Sequence, residues 1–423
     1  MWQFVFWSSL ALVLYSYAGY PLILFLVSKL RKGDKRAPAS DQLPRVCLLI
    51  SAFNEEKVIR KKIENSLSLD YPRDKLTILV ASDGSNDQTV EIVEDYADLG
   101  VRLFHRPVRA GKSAVLNAVV NTIRDEVVVF TDANAMFAED ALKRLVSHFA
   151  DPEIGCVVGK LRYVERHTTS VARGEGLYWR YEGMLSLLES SLHSVLVANG
   201  SIFAIRRDLF PDLYPEVAND FQIPIEIGAG GHGIVYEPRA LAFEQSAMLW
   251  QEEFQRKVRI IVRGLSGLWR LRAKITGFRR WQFVSHKLLR WAVGPILLAT
   301  LVSNALLMRD SVFYTLTMTG QLFLYLAALN GWRMRKTRKS HPLFYLPFYF
   351  TMVNLAAVVA FVKFLAGERR SVWEKAESAR MVPAASPGHN VVTVLRARAA
   401  REARLAPARE IEAAGIAGKV AKS

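Results

Sequence analysis

The chain has 423 residues, 51% of them hydrophobic and 23% charged, which excludes a wholly disordered, collagenous or mucin-like polymer. Its 56 Lys and Arg against 40 Asp and Glu leave a formal charge of +16, a balance suited to nucleic acid, anionic lipid or a phosphorylated ligand. Two cysteines, Cys47 and Cys156, are too few for a disulfide framework or a thiolate zinc site, and both sit in apolar runs as expected core residues. Residues 1–28 carry no charge and are followed by Lys29, Arg31, Lys32, Lys35 and Arg36. About 20 helical residues cross a hydrocarbon core of roughly 30 Å. Because the charges follow the apolar run, a retained N-terminal membrane helix is expected over 1–28 rather than a cleaved leader. The basic linker, 29–44, then places the next domain on the cytoplasmic side of a bacterial-type inner membrane.

Residues 45–270 form the expected cytoplasmic domain. Apolar runs at 45–51, 76–81, 101–104 and 126–130 alternate with helical patterns through Leu67, over 89–96, over 113–123 and over 138–149, the signature of an α/β fold with a mostly parallel sheet. Ligands of such sheets sit beyond the C-terminal strand ends. There the chain reads Ser51-Ala52-Phe53-Asn54-Glu55-Glu56, Ser82-Asp83-Gly84-Ser85 and Thr131-Asp132-Ala133-Asn134. Acidic or amide groups recurring after three strands converge on one rim, although Asp83-Gly84-Ser85 alone also suits a tight turn. Asp132 and Asn134 offer hard oxygen ligands two residues apart, able to hold a divalent cation against a diphosphate; the bland alternative is a helix cap. Asp220, in a loop-like stretch after Pro215, is either a surface carboxylate or a proton acceptor returned to the rim.

Two glycine patterns are set aside. Gly111-Lys112-Ser113 lacks the first glycine of a Walker A loop, because Arg106 stands there, although Arg109 and Lys112 remain point charges for phosphate. The run from Gly228 to Gly233 has G-x-G-x-x-G spacing but precedes a strand and opens no helix. Further on, Gln255, Arg256 and Arg259 lie on a helix where Gln255 and Arg259 share a face that suits a phosphate or sugar. Lys257, Arg263, Arg270, Arg272, Lys274, Arg279 and Arg280 around them equally suit a lipid-facing surface.

Three more uncharged runs, 291–308, 311–332 and 342–362, follow a basic interfacial segment at 271–290. Counting spans puts Arg309 and Asp310 outside and the loop from Arg333 to Lys339 inside. Arg369 and Arg370 conflict with an external tail, so the third late run is read as spanning or re-entrant, 363–380 as interfacial and 381–423 as a flexible tail. Basic residues gathered beside apolar runs point to membrane lipids and away from nucleic acid.

Taken in order, Ala52-Phe53-Asn54-Glu55, Asp83-Gly84-Ser85, Arg109-Ala110-Gly111-Lys112 with Leu116-Asn117, Asp132-Ala133-Asn134, Asn219-Asp220 and Gln255 to Arg259 resemble the membrane-embedded family 2 glycosyltransferases, the group of the cellulose, hyaluronan and poly-N-acetylglucosamine synthases. The resemblance covers about Arg45 to Arg263 and, weakly, the late apolar runs as far as Trp373-Glu374-Lys375. It implies a Rossmann-like nucleotide-sugar transferase domain of GT-A type with one N-terminal and about three C-terminal transmembrane helices. It implies an inverting, metal-dependent hexosyltransferase that takes a nucleoside-diphosphate sugar, UDP-linked above all, and forms a β-linkage. The acceptor would be a growing polysaccharide or lipid-linked saccharide, with export partners.

The roles carried over put Ala52, Asn54, Glu55, Asp83, Arg109, Lys112 and Asp132 on the donor. Asp132 and Asn134 take Mg²⁺ or Mn²⁺, Asp220 is the catalytic base, and Asn219, Gln255, Arg256 and Arg259 serve acceptor or phosphate. Asn134 stands where many members have a second Asp. The acceptor motif Gln-x-x-Arg-Trp has Val258 and Arg259 in its last two places, so the stacking tryptophan and processivity are not carried over. Readings of a different class are a transporter with a regulatory domain or an inactive sugar-binding scaffold; the scarcity of charge in the late runs disfavours the first.

Overall fold

The structure is a computed structural model that describes residues 1–30, 43–164, 170–245, 249–335 and 341–368. Expectations for Arg31 to Arg36, Lys336 to Lys339, the late interfacial stretch from Arg369 and the tail lie outside the described residues.

Helix α1, Trp2–Leu30, contains one π-helical turn at Tyr15–Gly19. The domain then follows as β1 (Val46–Ala52), α2 (Ile59–Leu67), β2 (Leu76–Asp83), α3 (Thr89–Glu94), β3 (Val101–Arg106), α4 (Lys112–Val120), β4 (Val127–Asp132), β5 (Met136–Phe137), α5 (Ala141–Val146), β6 (Ile154–Val164), α6 (Ser170–Ser190), β7 (Phe203–Arg206), α7 (Asn219–Ala229) and β8 (Gly233–Gln245). Among the described residues the eight strands make one mixed sheet, ordered β3-β2-β1-β4-β7-β6-β8-β5. Strands β1 to β4 run parallel, and β7 joins antiparallel to both β4 and β6.

Strand β1 is buried along its whole length, as expected of a strand covered on both faces. Its alternate residues enter two cores. Val46, Leu48 and Ile50 meet Ile59, Ile63 and Leu67 of α2 and Leu142 and Leu145 of α5. Cys47 and Leu49 meet Val115, Leu116 and Val119 of α4 and Ile223 and Ile227 of α7. Both cysteines are free and buried, as their setting predicts.

Helix α8 (Trp250–Leu271) leaves the sheet domain, and α9 (Gly277–Leu307), α10 (Val312–Arg333) and α11 (Pro342–Leu365) follow. Four helices, α1 and α9 to α11, are long and apolar enough to cross a membrane. The sequence reading separates an interfacial segment at 271–290 from a span at 291–308, whereas the chain from Gly277 to Leu307 is one helix with a π-helical turn at Phe283–Leu288. Phe6 packs on Leu307 and Tyr314, and Tyr20 lies beside Trp281 and His286, so α1 runs antiparallel to α9.

Small residues let the helices approach closely. Ala356, Ala357 and Ala360 of α11 pack on Val258, Ile261, Val262 and Leu265 of α8. A side chain at Gly294 would strike the Asn354 carbonyl of α11. Lys257 is buried against Glu253 at 3.5 Å and over the Tyr178 ring at 4.1 Å, and Arg263 is turned inward. The lipid-facing alternative therefore fails for these two residues, while Arg270 and Arg272 stay exposed.

Candidate active site

Parallel register places Ser51 of β1 beside Asp132 of β4 and Ala52 beside Ser82 of β2, so three strand ends open on one rim. Asp83 ends β2, and its two carboxylate oxygens accept the backbone N–H groups of Ala110 and Gly111, each at 2.8 Å. Gly84 follows with φ of +70°, and a Cβ there would stand 2.6 Å from the Arg109 nitrogen. These contacts lay the segment after β3 across the rim, with the Arg109 guanidinium 3.8 Å from the centroid of the Phe53 ring. Ala52, Phe53, Asp83, Arg109 and Lys112 line a shallow, open cleft. An aromatic side chain, a cation and a carboxylate along one rim are groups that suit a nucleoside.

Asn54 and Glu55 form a joint between rim loops. Asn54 has a left-handed backbone, and its side-chain amide pairs with Asn86: Nδ2 donates to Asn86 Oδ1 at 2.7 Å, and Asn86 N donates back at 2.9 Å. Glu55 is buried, its N–H donates to Thr89 Oγ1 at 2.7 Å, and its carbonyl accepts the Val58 and Ile59 N–H groups that open α2. These hydrogen bonds join the rim loops to one another and to the start of α2.

Asp132 ends β4 and accepts from Lys112 Nζ at 2.6 Å. Lys112 opens α4 directly after the Asp83-held turn, so the nucleoside cleft and the Asp132 carboxylate share one support. Asn134 is half-buried in the turn after β4.

The structure corrects the setting of Asp220, which lies in the first turn of α7 rather than in a loop. The misleading signal was the pair of prolines before it, Pro211 and Pro215; a further proline, Pro224, lies inside that helix. Proline has no N–H to return to the carbonyl four residues earlier, which frees the Asp220 carbonyl. Ala198 N–H takes it at 2.8 Å, and Gly200 N–H donates to Asp220 Oδ2 at 3.1 Å. From the other side, Asn117 of α4 pairs with the Leu213 backbone in both directions, at 3.0 and 2.9 Å, and fastens the approach to α7.

These restraints bring the two aspartates together. A Cβ at Gly200 would lie 3.1 Å from Asp220 Oδ2 and 3.9 Å from Asp132 Oδ2, so the absence of a side chain there keeps open a gap between the carboxylates. Burial raises the Asp220 pKa above its ordinary value, Lys112 and Arg263 pull it back, and Asp132 adds to the rise.

Arg263 belongs to this site although the sequence reading treated it as surface. Its Nη2 donates to the Val217 carbonyl at 3.0 Å, and among the described residues its buried Nε has no hydrogen-bond partner. Asn219 Nδ2, beside Asp220, is likewise buried and unpaired. The signal for Arg263 was its spacing, one turn beyond Arg259 on the same helix. Gln255 is exposed, Arg259 is half-buried, and Arg256 commits its guanidinium to Glu253 at 2.7 Å and to the Tyr163 ring.

The donor set tests the expected metal. Hard oxygens from Asp132, Asn134 and the neighbouring Asp220 suit Mg²⁺ or Mn²⁺. No three His, Cys, Asp or Glu side chains cluster as a metal cage among the described residues, so an ion here needs phosphate oxygens from a ligand.

Residues 47–214 match the family described as Glycosyl transferase family 2. A probable glycosyltransferase, YdaM, of Bacillus subtilis is 28% identical over 240 residues, 52% of this chain and 54% of that protein. Beta-monoglucosyldiacylglycerol synthase of Synechocystis is 34% identical over 137 residues, 31% of this chain and 29% of its own length. Poly-beta-1,6-N-acetyl-D-glucosamine synthase of Staphylococcus epidermidis is 22% identical over 278 residues, 64% of this chain and 62% of its own. The chain spans about half or less of the length of the first of these relatives.

Among solved structures, the mannosyltransferase PcManGT of Pyrobaculum calidifontis, determined with GDP-Man and Mn²⁺, superposes with a TM-score of 0.66 at 23% identity, over 87% of this chain and all of that one. The chain therefore carries a family 2 glycosyltransferase domain with the GT-A-like α/β fold, joined to one N-terminal and three C-terminal helices long and apolar enough to cross a membrane.

Proposed function

We propose that the chain transfers a sugar from a nucleoside-diphosphate sugar to a hydroxyl of a saccharide or lipid-linked acceptor at the cytoplasmic face of a membrane, with inversion at the anomeric carbon. The observation that carries this reading is the opening at Gly200, where Asp220 and Asp132 face one gap with Lys112 and Arg263 beside them. The nucleoside would occupy the cleft between Phe53, Arg109 and Asp83, and Lys112 would meet the diphosphate.

Asp132 and Asn134 would hold Mg²⁺ or Mn²⁺, which supplies charge neutralisation on the departing diphosphate. Asp220 would take the proton of the acceptor hydroxyl as its oxygen bonds to the anomeric carbon and the bond to the diphosphate breaks. An α-linked donor then gives a β-linked product. Its raised pKa makes Asp220 a stronger base than an exposed aspartate. Arg263 Nε and Asn219 Nδ2 are donors left for acceptor oxygens.

Relatives named for glucosyldiacylglycerol and for poly-N-acetylglucosamine synthesis favour membrane-associated acceptors without choosing the sugar. The test is a panel of UDP-, GDP- and dTDP-sugars with Mn²⁺ or Mg²⁺ and a membrane lipid extract, followed by product analysis. A glycosylated product of inverted configuration is expected. Failure of a folded full chain to turn over any donor overturns the reading.

A further inference from the structure

Helix α2 buries Ile59, Ile63 and Leu67 beneath the sheet, and Lys62 stands on the same face with no solvent exposure. Removing an ammonium group from water costs several kcal/mol in real proteins, so a hydrocarbon of similar length would fill this space more cheaply. Burial pushes the Lys62 pKa down to about 7, against the pull of Asp132 and Glu244. Its contacts give a reason for keeping a hydrogen-bond donor there. Nζ donates to Thr131 Oγ1 at 3.1 Å and to the Ala135 carbonyl, and it lies 4.0 Å from the centroid of the Phe137 ring.

Thr131 and Ala135 immediately bracket Asp132-Ala133-Asn134. Three residues along α2, Asn65 closes the same clamp: its Nδ2 donates to the Phe137 carbonyl at 2.9 Å, and Phe137 N–H donates to its Oδ1 at 2.7 Å. The backbone of the turn is thus gripped from 131 to 137 by one helix behind the rim, while Lys112 approaches Asp132 from the cleft side.

We propose that Lys62 is a positioning residue, holding the Asp132 to Asn134 turn in the form that takes a divalent cation together with a nucleoside diphosphate. The inference rests on the metal reading above and adds what fixes the ligands in place. Groups that orient metal ligands from behind typically govern affinity as well as packing.

The test measures binding. Mn²⁺ is titrated into the purified full chain in nanodiscs with UDP or GDP present, free Mn²⁺ is read by electron paramagnetic resonance, and each variant is melted in parallel. Lys62→Met and Thr131→Val are expected to weaken Mn²⁺ binding about 10- to 100-fold. Thr131→Ser, which keeps the hydroxyl, is expected to stay near wild type. A merely structural Lys62 would lower the melting temperature and leave Mn²⁺ affinity in place.

Wild-type affinity in Thr131→Val, in a series where Asp132→Asn has lost binding, overturns the proposal and leaves the metal reading intact. If Lys62→Met does not fold, the Thr131 pair decides alone. If Asp132→Asn binds Mn²⁺ as well as wild type, the metal reading fails and this inference falls with it.

Discussion

Phe221, the residue after Asp220, stacks on Trp291 of α9 with ring centroids 6.4 Å apart and planes at 28°. Phe283 meets the Phe221 ring edge-on at 5.5 Å, and Val217, Ile225, Leu271 and Ile275 complete the cluster. Helix α8 comes close enough for this only because Gly264 lies against Trp291 and Gly267 against Phe221, where a Cβ would collide with either ring. The candidate base is therefore mounted on the helix that opens the second apolar run. Trp291 is half-buried, so Trp291→Ala is expected to destabilise by less than the loss of about 3–5 kcal/mol typical of a fully buried aromatic truncated to Ala. It should also lower sugar transfer, while Trp291→Phe keeps most of both. Melting and single-turnover transfer in the same nanodiscs check this, and an undiminished transfer rate in Trp291→Ala would count against the coupling.

Asp132→Asn keeps an acceptor for Lys112 but removes the anionic charge. Donor turnover is expected to fall about 10²-fold or more, roughly 2.7 kcal/mol, if this carboxylate stabilises charge developing on the diphosphate. Chelation of divalent ions should suppress wild-type turnover, and Mn²⁺ or Mg²⁺ should restore it. Unchanged turnover and metal response in the mutant would exclude the role.

The rim was legible where chemistry followed directly on an apolar strand. Strands β1, β2 and β4 are runs buried on both faces, and the residues closing them, Asp83 and Asp132, could be found by position alone. Strand β7 was not legible, because its four residues gain their place from antiparallel pairing with Val127 to Phe130 and with Cys156 to Val158, far away in sequence. Lys62 left a signal that went unread: a charge in step with Ile59, Ile63 and Leu67 on the apolar face of an amphipathic helix. The meeting of Asp220 with Asp132 depends on hydrogen bonds from Ala198 and Gly200, which no local pattern encodes.

The pH dependence follows from Asp220. Its folded pKa is raised above the ordinary 3.8 by burial, so it holds a proton at pH values where an exposed aspartate has lost it. Transfer needs the deprotonated form, and the acid limb of kcat/KM is expected to lie above 3.8 and to vanish in Asp220→Asn. That variant should lose roughly 10² to 10⁴-fold in transfer while still binding donor. In stability terms, a raised carboxyl contributes fully below 3.8 and that contribution is lost as pH rises through the folded pKa. Asp220→Asn should accordingly melt no lower than wild type at neutral pH. Near-normal transfer in this variant would show that Asp220 is not the base.

The junction between α1, α6 and α9 makes a separate prediction. Glu189 accepts from Tyr20 Oη at 2.7 Å and lies 2.6 Å from His286 Nδ1, while Glu182, seven residues earlier on α6, pairs with Lys287 at 3.2 Å and with Arg290. Burial alone would push the Glu182 carboxyl up, but Arg290, Lys287 and His286 more than reverse this and hold it well below the usual range. A depressed carboxyl contributes stability that is fully present above its unfolded value and lost as pH falls through the folded one. The window therefore lies below the ordinary value of 4.5. Removing the carboxylate leaves Lys287 and Arg290 buried against each other, for which about 3–5 kcal/mol is a typical loss. Glu182→Gln keeps the shape and loses only the charge, so it should melt well below wild type at pH 7, with the gap narrowing as both are acidified below 4.5. Equal melting of the two proteins at pH 7 would show that the ion cluster does not hold α6 to α9.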